Sequence, residues 1–261
     1  MLATVFSWTA TWFVIVLRLR QANQAPSQTI LNGLWLISLS LHSASILLTW
    51  LRLQTVSLDF ITALSIILWA TSLLLFLANR ERPLETLGLF VLPMLPVTVV
   101  ADTVLYHEKL NIDLNNGLGV HIFISMIAYS TLTLAALLAM LLAAKNHQLH
   151  NHKPGTLTRT LPPLQDMEAL LFQLIAAGAF LLALGVVTGF MFLDELFGKG
   201  VAHKAILTIV AWVIFTILLY GHWRYGWRGR RAIRWTMAGF ILLMLAFLGS
   251  KFVVEYLVVN P

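Results

Sequence analysis

Long runs of apolar residues, separated by short polar segments, recur along the whole chain and leave few folds open to it. A membrane-spanning helix needs about 20 mostly apolar residues. Eight such runs are visible, at about 2–17, 30–51, 58–78, 84–105, 118–144, 167–193, 203–222 and 235–258. Of the 261 residues, 59% are hydrophobic and 11% are charged, whereas a soluble domain carries about 25% charged residues. The sequence therefore predicts an all-α, polytopic transmembrane helix bundle of about eight spans, forming a single integral membrane domain over 1–261.

Two of these runs carry features that constrain their structure further. The first run is followed by Arg18 and Arg20 and by no small-residue cleavage site, so we expect a retained span rather than a signal peptide. The fourth run contains Pro93 and Pro96, and proline removes a backbone N–H from a helix. We expect this span to kink at the prolines, with neighbouring groups satisfying the freed backbone.

Lysine and arginine are unevenly distributed between the two sides of the predicted bundle. The segments 18–29, 79–83, 145–166 and 223–234 lie on one side and hold 12 of the 17 basic residues, against 5 on the other side. Basic loops remain in the cytoplasm, so both termini are predicted to lie outside. The net charge of +6 is then explained by cytoplasmic loops that contact anionic membrane lipid, and no nucleic-acid partner is expected.

Histidine is the main residue type left for ligand chemistry, because the chain contains no cysteine. Two polar stripes cross otherwise apolar spans: Ser38, His42, Ser45 and Thr49 in the second, and His121, Ser125, Tyr129 and Thr133 in the fifth. Their spacing of three or four residues puts each stripe on one helical face, and the second stripe spirals slowly. Polar faces of this kind are expected to face protein or a cavity rather than lipid.

Three histidines in these spans are candidates for binding a cofactor. The predicted topology places His121 and His203 at the outer ends of different helices and at similar depth, with His42 deeper in the membrane. Two neutral imidazoles that face each other across an apolar gap are suitable axial ligands for a haem iron. The residues alone leave two interpretations open: haem ligation, or ordinary hydrogen bonds between helices.

Several motifs in the second half of the chain narrow the choice. They are HIFISMIAY at 121–129, Trp212, GWRGRR at 226–231, GF at 239–240 and LGSKF at 248–252. On these motifs the chain resembles the cytochrome c assembly transmembrane family, well over about 118–258 and more loosely before it, and is most similar to the shorter HemX- and YpjD-like branch. The resemblance implies a bacterial inner-membrane protein that binds non-covalent (b-type) haem, with apocytochromes or haem-pathway proteins as partners. His121 falls on the family's external haem-ligand histidine.

The chain also departs from the family's haem-handling synthetases. The outer segment LDELFGKGVAHKA lacks their tryptophan-rich motif, Tyr220 takes the place of their histidine within the span, and their terminal external histidine is missing. His203 lies near the place of the lost motif and is the candidate for the second iron ligand, with His42 as a deeper ligand. We therefore expect haem binding without complete cytochrome c synthetase activity, and no enzyme in the usual sense.

Two other functions fit parts of the sequence. A small-solute transporter would explain the prolines of the fourth span and the glycines of the sixth, Gly178, Gly185 and Gly189, but no acidic residue lies in the middle of a span to couple ions. A ligand-free structural partner of a membrane complex fits the surface features but leaves the polar stripes of His42 and His121 unexplained.

Overall fold

The structure is a computed structural model that describes residues 1–20, 26–53, 56–57, 59–80, 83–104, 111–112, 117–150, 161–192 and 202–249. Nine α-helices lie in these ranges: α1 Leu2–Arg20, α2 Gln28–Leu53, α3 Phe60–Ala78, α4 Glu85–Val91, α5 Met94–Val104, α6 Leu118–His150, α7 Leu164–Phe192, α8 Ala202–Tyr225 and α9 Arg230–Met244. A π-helical turn, Leu245–Gly249, follows α9. The two-residue strands β1 (Val56–Ser57) and β2 (Asn111–Ile112) pair in antiparallel orientation.

Seven segments of the described chain are long and apolar enough to cross a membrane, which confirms the prediction of an all-helical, multi-pass protein. They coincide with the first seven predicted runs, and α4 and α5 together form the fourth. The eighth run, 235–258, is described as far as residue 249, through α9 and the π-helical turn. Helix α6 extends to His150, so the polar loop that we expected from residue 145 begins later than predicted.

Contacts between the helices divide the chain into two compact units. Unit 1 comprises Met1–Asp113 with Thr160–Pro162, and unit 2 comprises Leu114–Arg159 with Pro163–Pro261. Helices α1 to α5 belong to unit 1, and α6 to α9 belong to unit 2. The single domain over 1–261 stays a prediction.

The fourth span is interrupted at Leu92 and Pro93, between α4 and α5, as its prolines predicted. Pro93 has no N–H to donate to the carbonyl oxygen of Leu89, four residues earlier. The indole Nε1 of Trp12 in α1 donates to this oxygen instead, at 3.4 Å. A side chain from a neighbouring helix thus supplies the hydrogen bond that proline removes, as an interrupted helix inside a bilayer requires.

An ion pair holds the start of α4 to the end of α1. Arg18 Nε donates to Glu85 Oε2 at 2.9 Å, and Arg18 Nη2 donates to Glu85 Oε1 at 3.2 Å. The same guanidinium also donates to the carbonyl oxygen of Pro26 and to Gln28 Oε1. Because the Arg18 and Glu85 side chains are only 20% and 15% exposed, this two-point contact is shielded from water.

In unit 2, α6 and α7 approach closely at two glycines of α7. A Cβ atom on Gly178 would lie 2.7 Å from the Leu132 side chain, and a Cβ on Gly185 would lie 3.1 Å from Ser125 Oγ. Small residues that let two backbones approach are a common basis of helix packing in membranes. These glycines therefore serve the contact between α6 and α7, and α7 runs unbroken from Leu164 to Phe192.

Candidate functional site

His42 is the centre of a buried hydrogen-bond network in unit 1. Its side chain is 2% exposed, and Trp8 Nε1 donates to its Nδ1 at 3.2 Å. Because an indole N–H can only donate, Nδ1 of the neutral ring carries no proton, and Nε2 donates to Ser65 Oγ at 3.2 Å. Thr98 Oγ1 also donates to Ser65 Oγ, at 3.2 Å. His42 of α2 is thus linked to α1, α3 and, through Ser65, α5.

The polar stripe of α2 faces protein over its first half. Ser38 is buried, and its hydroxyl oxygen lies 2.9 Å from Thr11 Oγ1 of α1. Ser45 and Thr49 donate instead to carbonyl oxygens of α2 itself, and Thr49 is exposed. The expectation that the whole stripe would face protein therefore holds for Ser38 and His42 but not for Thr49.

His121 lies in the first turn of α6 and is oriented by α7. Its Nδ1 is 2.9 Å from the carbonyl oxygen of Gly185 and 3.2 Å from Thr188 Oγ1. A carbonyl oxygen can only accept, so Nδ1 carries the proton, and the lone pair of the neutral ring is on Nε2. No described residue is hydrogen-bonded to Nε2. A backbone carbonyl that fixes Nδ1 in this way is the usual arrangement for a histidine that binds a metal through Nε2.

The polar stripe of α6 turns from α7 toward α8 along the helix. Ser125 lies beside Gly185 of α7, one turn after His121. One turn further, the Tyr129 hydroxyl is hydrogen-bonded to the Thr208 side chain of α8. The Tyr129 ring also packs against Phe247, with the ring centroids 5.1 Å apart. The change of partner follows from the rotation of about 40° that each four-residue step makes around a helix.

His203 lies in the first turn of α8, and its side chain lies outside the described residues. Helices α7 and α8 run antiparallel, because the Phe172 ring near the start of α7 stacks on the His222 ring near the end of α8, with centroids 3.5 Å apart. The other end of α7 contacts His121, so α8 begins at the same end of unit 2 as His121. The pairing of the two imidazoles stays a prediction.

The GWRGRR motif forms the turn between α8 and α9 at the opposite end of unit 2. Its contact on α7, Glu168, lies about 25 Å along the helix from Gly185, the contact of His121, at 1.5 Å per residue. Gly226 and Gly229 have φ values of 65° and 57°, in the left-handed region that favours glycine. His222 Nδ1 donates to the Trp227 carbonyl oxygen at 2.8 Å. The Gly229 N–H donates to Glu168 Oε1 of α7 at 2.9 Å. Side chains of α7 and α8 thus fix the shape of this turn.

Residues 28–258 match the family described as Cytochrome C assembly protein. The chain belongs to the cytochrome C assembly protein family. It is 33% identical over 208 residues to a 28.8 kDa protein in the nifR3-like 5′ region of Azospirillum brasilense. This match covers 75% of this chain and 76% of that protein. It is 22% identical over 222 residues to cytochrome c biogenesis protein CcsA of Prochlorococcus marinus strain MIT 9515. This match covers 73% of this chain and 70% of the CcsA chain. No solved structure matches the chain.

A third relative bears on the cellular location of this family member. The inner membrane protein YpjD of Escherichia coli strain K12 is 41% identical over 137 residues, and the match covers 52% of each chain. The chain thus spans about half the length of that relative. Together with the seven apolar segments, this similarity confirms the predicted location of a multi-pass protein in the inner membrane. Family membership links the chain to cytochrome c assembly, and the matched range contains His42, His121 and His203.

The sequence indicated the candidate histidines but missed the side chains that orient them. Trp8 and Ser65 hold the two ring nitrogens of His42, and Gly185 with Thr188 orients His121. The sequence does contain a signal for the residues that orient His121, because the spacing of Gly185 and Thr188 puts a small and a polar residue on one face of an apolar helix. A tryptophan in an apolar span gives no comparable signal, since Trp8 resembles any core aromatic residue.

Proposed function

We propose that this chain binds a non-covalent haem through Nε2 of His121 and handles haem during cytochrome c biogenesis. The observation that supports the proposal most directly is the hydrogen bond between His121 Nδ1 and the Gly185 carbonyl oxygen, at 2.9 Å. It holds the imidazole by one nitrogen and leaves the other for iron. Membership of the cytochrome C assembly protein family supports the same reading. Apocytochromes and haem-pathway proteins are the partners that this role implies.

His203 is the proposed second axial ligand. It lies in the first turn of α8, at the same end of unit 2 as His121, and a second histidine from this different helix could hold the iron of the same haem. The residues fit the group: a neutral imidazole with a free Nε2 is the ligand form that haem iron accepts. Bound there, haem would supply the iron chemistry, and the chain's own part is to orient the imidazoles and hold the macrocycle near the membrane surface.

His42 is proposed as a deeper station under one condition. Its Nδ1 accepts a hydrogen bond from Trp8, and its Nε2 is bonded to Ser65. Iron could therefore bind Nε2 of His42 only if the ring proton moved to Nδ1, which would break the hydrogen bonds with both Ser65 and Trp8. His121 needs no such exchange, which is why we place the axial pair at His121 and His203.

Absorption spectra of the purified chain with added haem test the proposal. We expect a Soret band and the low-spin spectrum of two histidine ligands for the wild type. The His203→Ala variant should lose the low-spin signature, and the His121→Ala variant should lose most of the bound haem. His222→Ala is the matched control, because its Nδ1 also donates to a backbone carbonyl but at the opposite end of unit 2. A chain that takes up no haem, or a His121→Ala spectrum equal to that of the wild type, would contradict the proposal.

A further inference from the structure

The turn between α8 and α9, with the helix ends on either side, carries five positive charges, and no carboxylate of the described residues pairs with them. Within eleven residues lie Arg224, Arg228, Arg230, Arg231 and Arg234, and all five are exposed. None of them forms an ion pair with a residue that the structure describes. The nearby carboxylate of Glu168 is bonded to the Gly229 N–H instead. A cluster of this kind is complementary to an anion from outside the chain.

Aromatic rings hold two of these guanidinium groups in place. The Arg231 guanidinium lies over the Trp227 ring at 5.9 Å, and the Arg224 guanidinium lies over the Tyr225 ring at 6.0 Å. The Trp227 ring is itself fixed, because it packs so closely over Gly221 that a Cβ there would lie 2.4 Å from a ring atom. A guanidinium seated on a ring keeps its N–H edge free for a planar or tetrahedral anion. The side chains are thus preorganised, which lowers the entropy lost on binding.

The position of the turn indicates where the anion comes from. The rings of Trp223 and Tyr225 are 82% and 67% exposed, and aromatic residues at the ends of membrane helices lie at the level of the lipid headgroups. The N–H of Gly229, which precedes α9, is bonded to Glu168, and the exposed arginine side chains are the groups that a ligand would contact. The anion expected beside these side chains, at the level of the headgroups, is the phosphate of a membrane lipid.

We propose that this turn and the adjoining helix ends, residues 221–235, are a binding site for the headgroup of an anionic phospholipid. The guanidinium groups of Arg224, Arg228 and Arg231 contact the phosphodiester, and the rings of Trp223 and Tyr225 lie among the adjacent headgroups. Guanidinium binds phosphate through paired N–H groups. The site is built from unit 2 alone and does not depend on haem binding.

Native mass spectrometry of the delipidated chain tests the site. The chain is titrated with phosphatidylglycerol or with phosphatidylcholine of the same acyl chains, and the bound copies are counted. Losing one guanidinium contact with the phosphate costs about 1 kcal/mol, a factor of about 5, so the R228Q/R231Q variant should bind phosphatidylglycerol about 25-fold more weakly. Phosphatidylcholine binding should not change.

The matched control is R20Q/R80Q, which also removes two exposed arginines, one of them seated on the Phe76 ring at 5.9 Å. This variant should keep the wild-type preference for phosphatidylglycerol. Equal losses in the two double variants would show that net charge alone attracts the lipid and would overturn the proposal. Displacement of phosphatidylglycerol by millimolar inorganic phosphate would overturn it too, because the site would then take a free anion.

Discussion

Replacing His42 with leucine removes the centre of the unit 1 network while keeping much of the side-chain volume. The Trp8 indole, which is 0% exposed, then loses the acceptor of its N–H. Ser65 loses its contact with α2. The variant therefore tests whether the network contributes to the free energy of unfolding of unit 1.

The expected loss of stability follows from the two contacts of His42 with other helices. Hydrogen bonds between membrane helices are worth about 0.6 kcal/mol on average and up to about 1.7 kcal/mol. A buried donor left without an acceptor costs about 1 to 3 kcal/mol. Because the Trp8 indole is fully buried, we expect His42→Leu to lower the free energy of unfolding by about 2 to 3 kcal/mol.

Unfolding in mixed micelles of increasing SDS content measures this difference. Ser43→Ala is the control on the same helix, since the Ser43 hydroxyl donates to the Leu39 carbonyl oxygen of α2 itself, and its effect should stay below about 0.5 kcal/mol. A double-mutant cycle of His42→Leu with Trp8→Phe should give a coupling energy of about 0.6 to 1.7 kcal/mol. Additive effects, or a His42→Leu chain as stable as the wild type, would refute the reasoning.

Two other contacts give predictions of the same kind. Gly178→Ala should lower the free energy of unfolding by about 1 to 3 kcal/mol and lower the melting temperature, since its Cβ would lie 2.7 Å from Leu132. Gly33→Ala is the control, because a Cβ there would have no neighbour within 4 Å. It should be neutral or stabilising by up to about 1 kcal/mol. Glu85→Gln should cost about 1.5 to 3 kcal/mol, and because Arg18 and Glu85 are largely shielded, 0.5 M salt should not abolish the difference in melting temperature. Equal melting of both glycine variants, or a Glu85→Gln loss that vanishes in salt, would contradict these expectations.

The spans could be predicted because hydrocarbon imposes a length and a composition on every helix that crosses it. The interruption at Pro93 could be predicted as well, since proline lacks the N–H that Leu89 needs. The hydrogen-bond donor to the Leu89 carbonyl oxygen could not be predicted. Trp12 is 77 residues away in the sequence, and no local pattern relates two residues at that separation.

The candidate histidines were predictable from their cost in an apolar span, but the state of each ring was not. Sequence periodicity placed His42 on a face with Ser38, and the structure adds that both of its ring nitrogens are already bonded. For His121 the deciding group is the backbone carbonyl of Gly185, and because every residue has a carbonyl, the spacing of Gly185 and Thr188 could mark a helix face but not the group that accepts the hydrogen bond. Only packing shows which carbonyl reaches the imidazole.

The hydrogen bond from Trp12 to Leu89 also bears on the order in which the protein is made. Translation at about 5 to 20 residues per second separates the synthesis of the two residues by roughly 4 to 15 s, so α1 is made before the proline-containing segment. That segment has an unpaired carbonyl at the interruption until it meets the indole, and such a group costs several kcal/mol in hydrocarbon. Helix α1 thus supplies the hydrogen-bond donor that the fourth span needs during insertion. A nascent chain without α1 would leave the Leu89 carbonyl oxygen unpaired at the interruption.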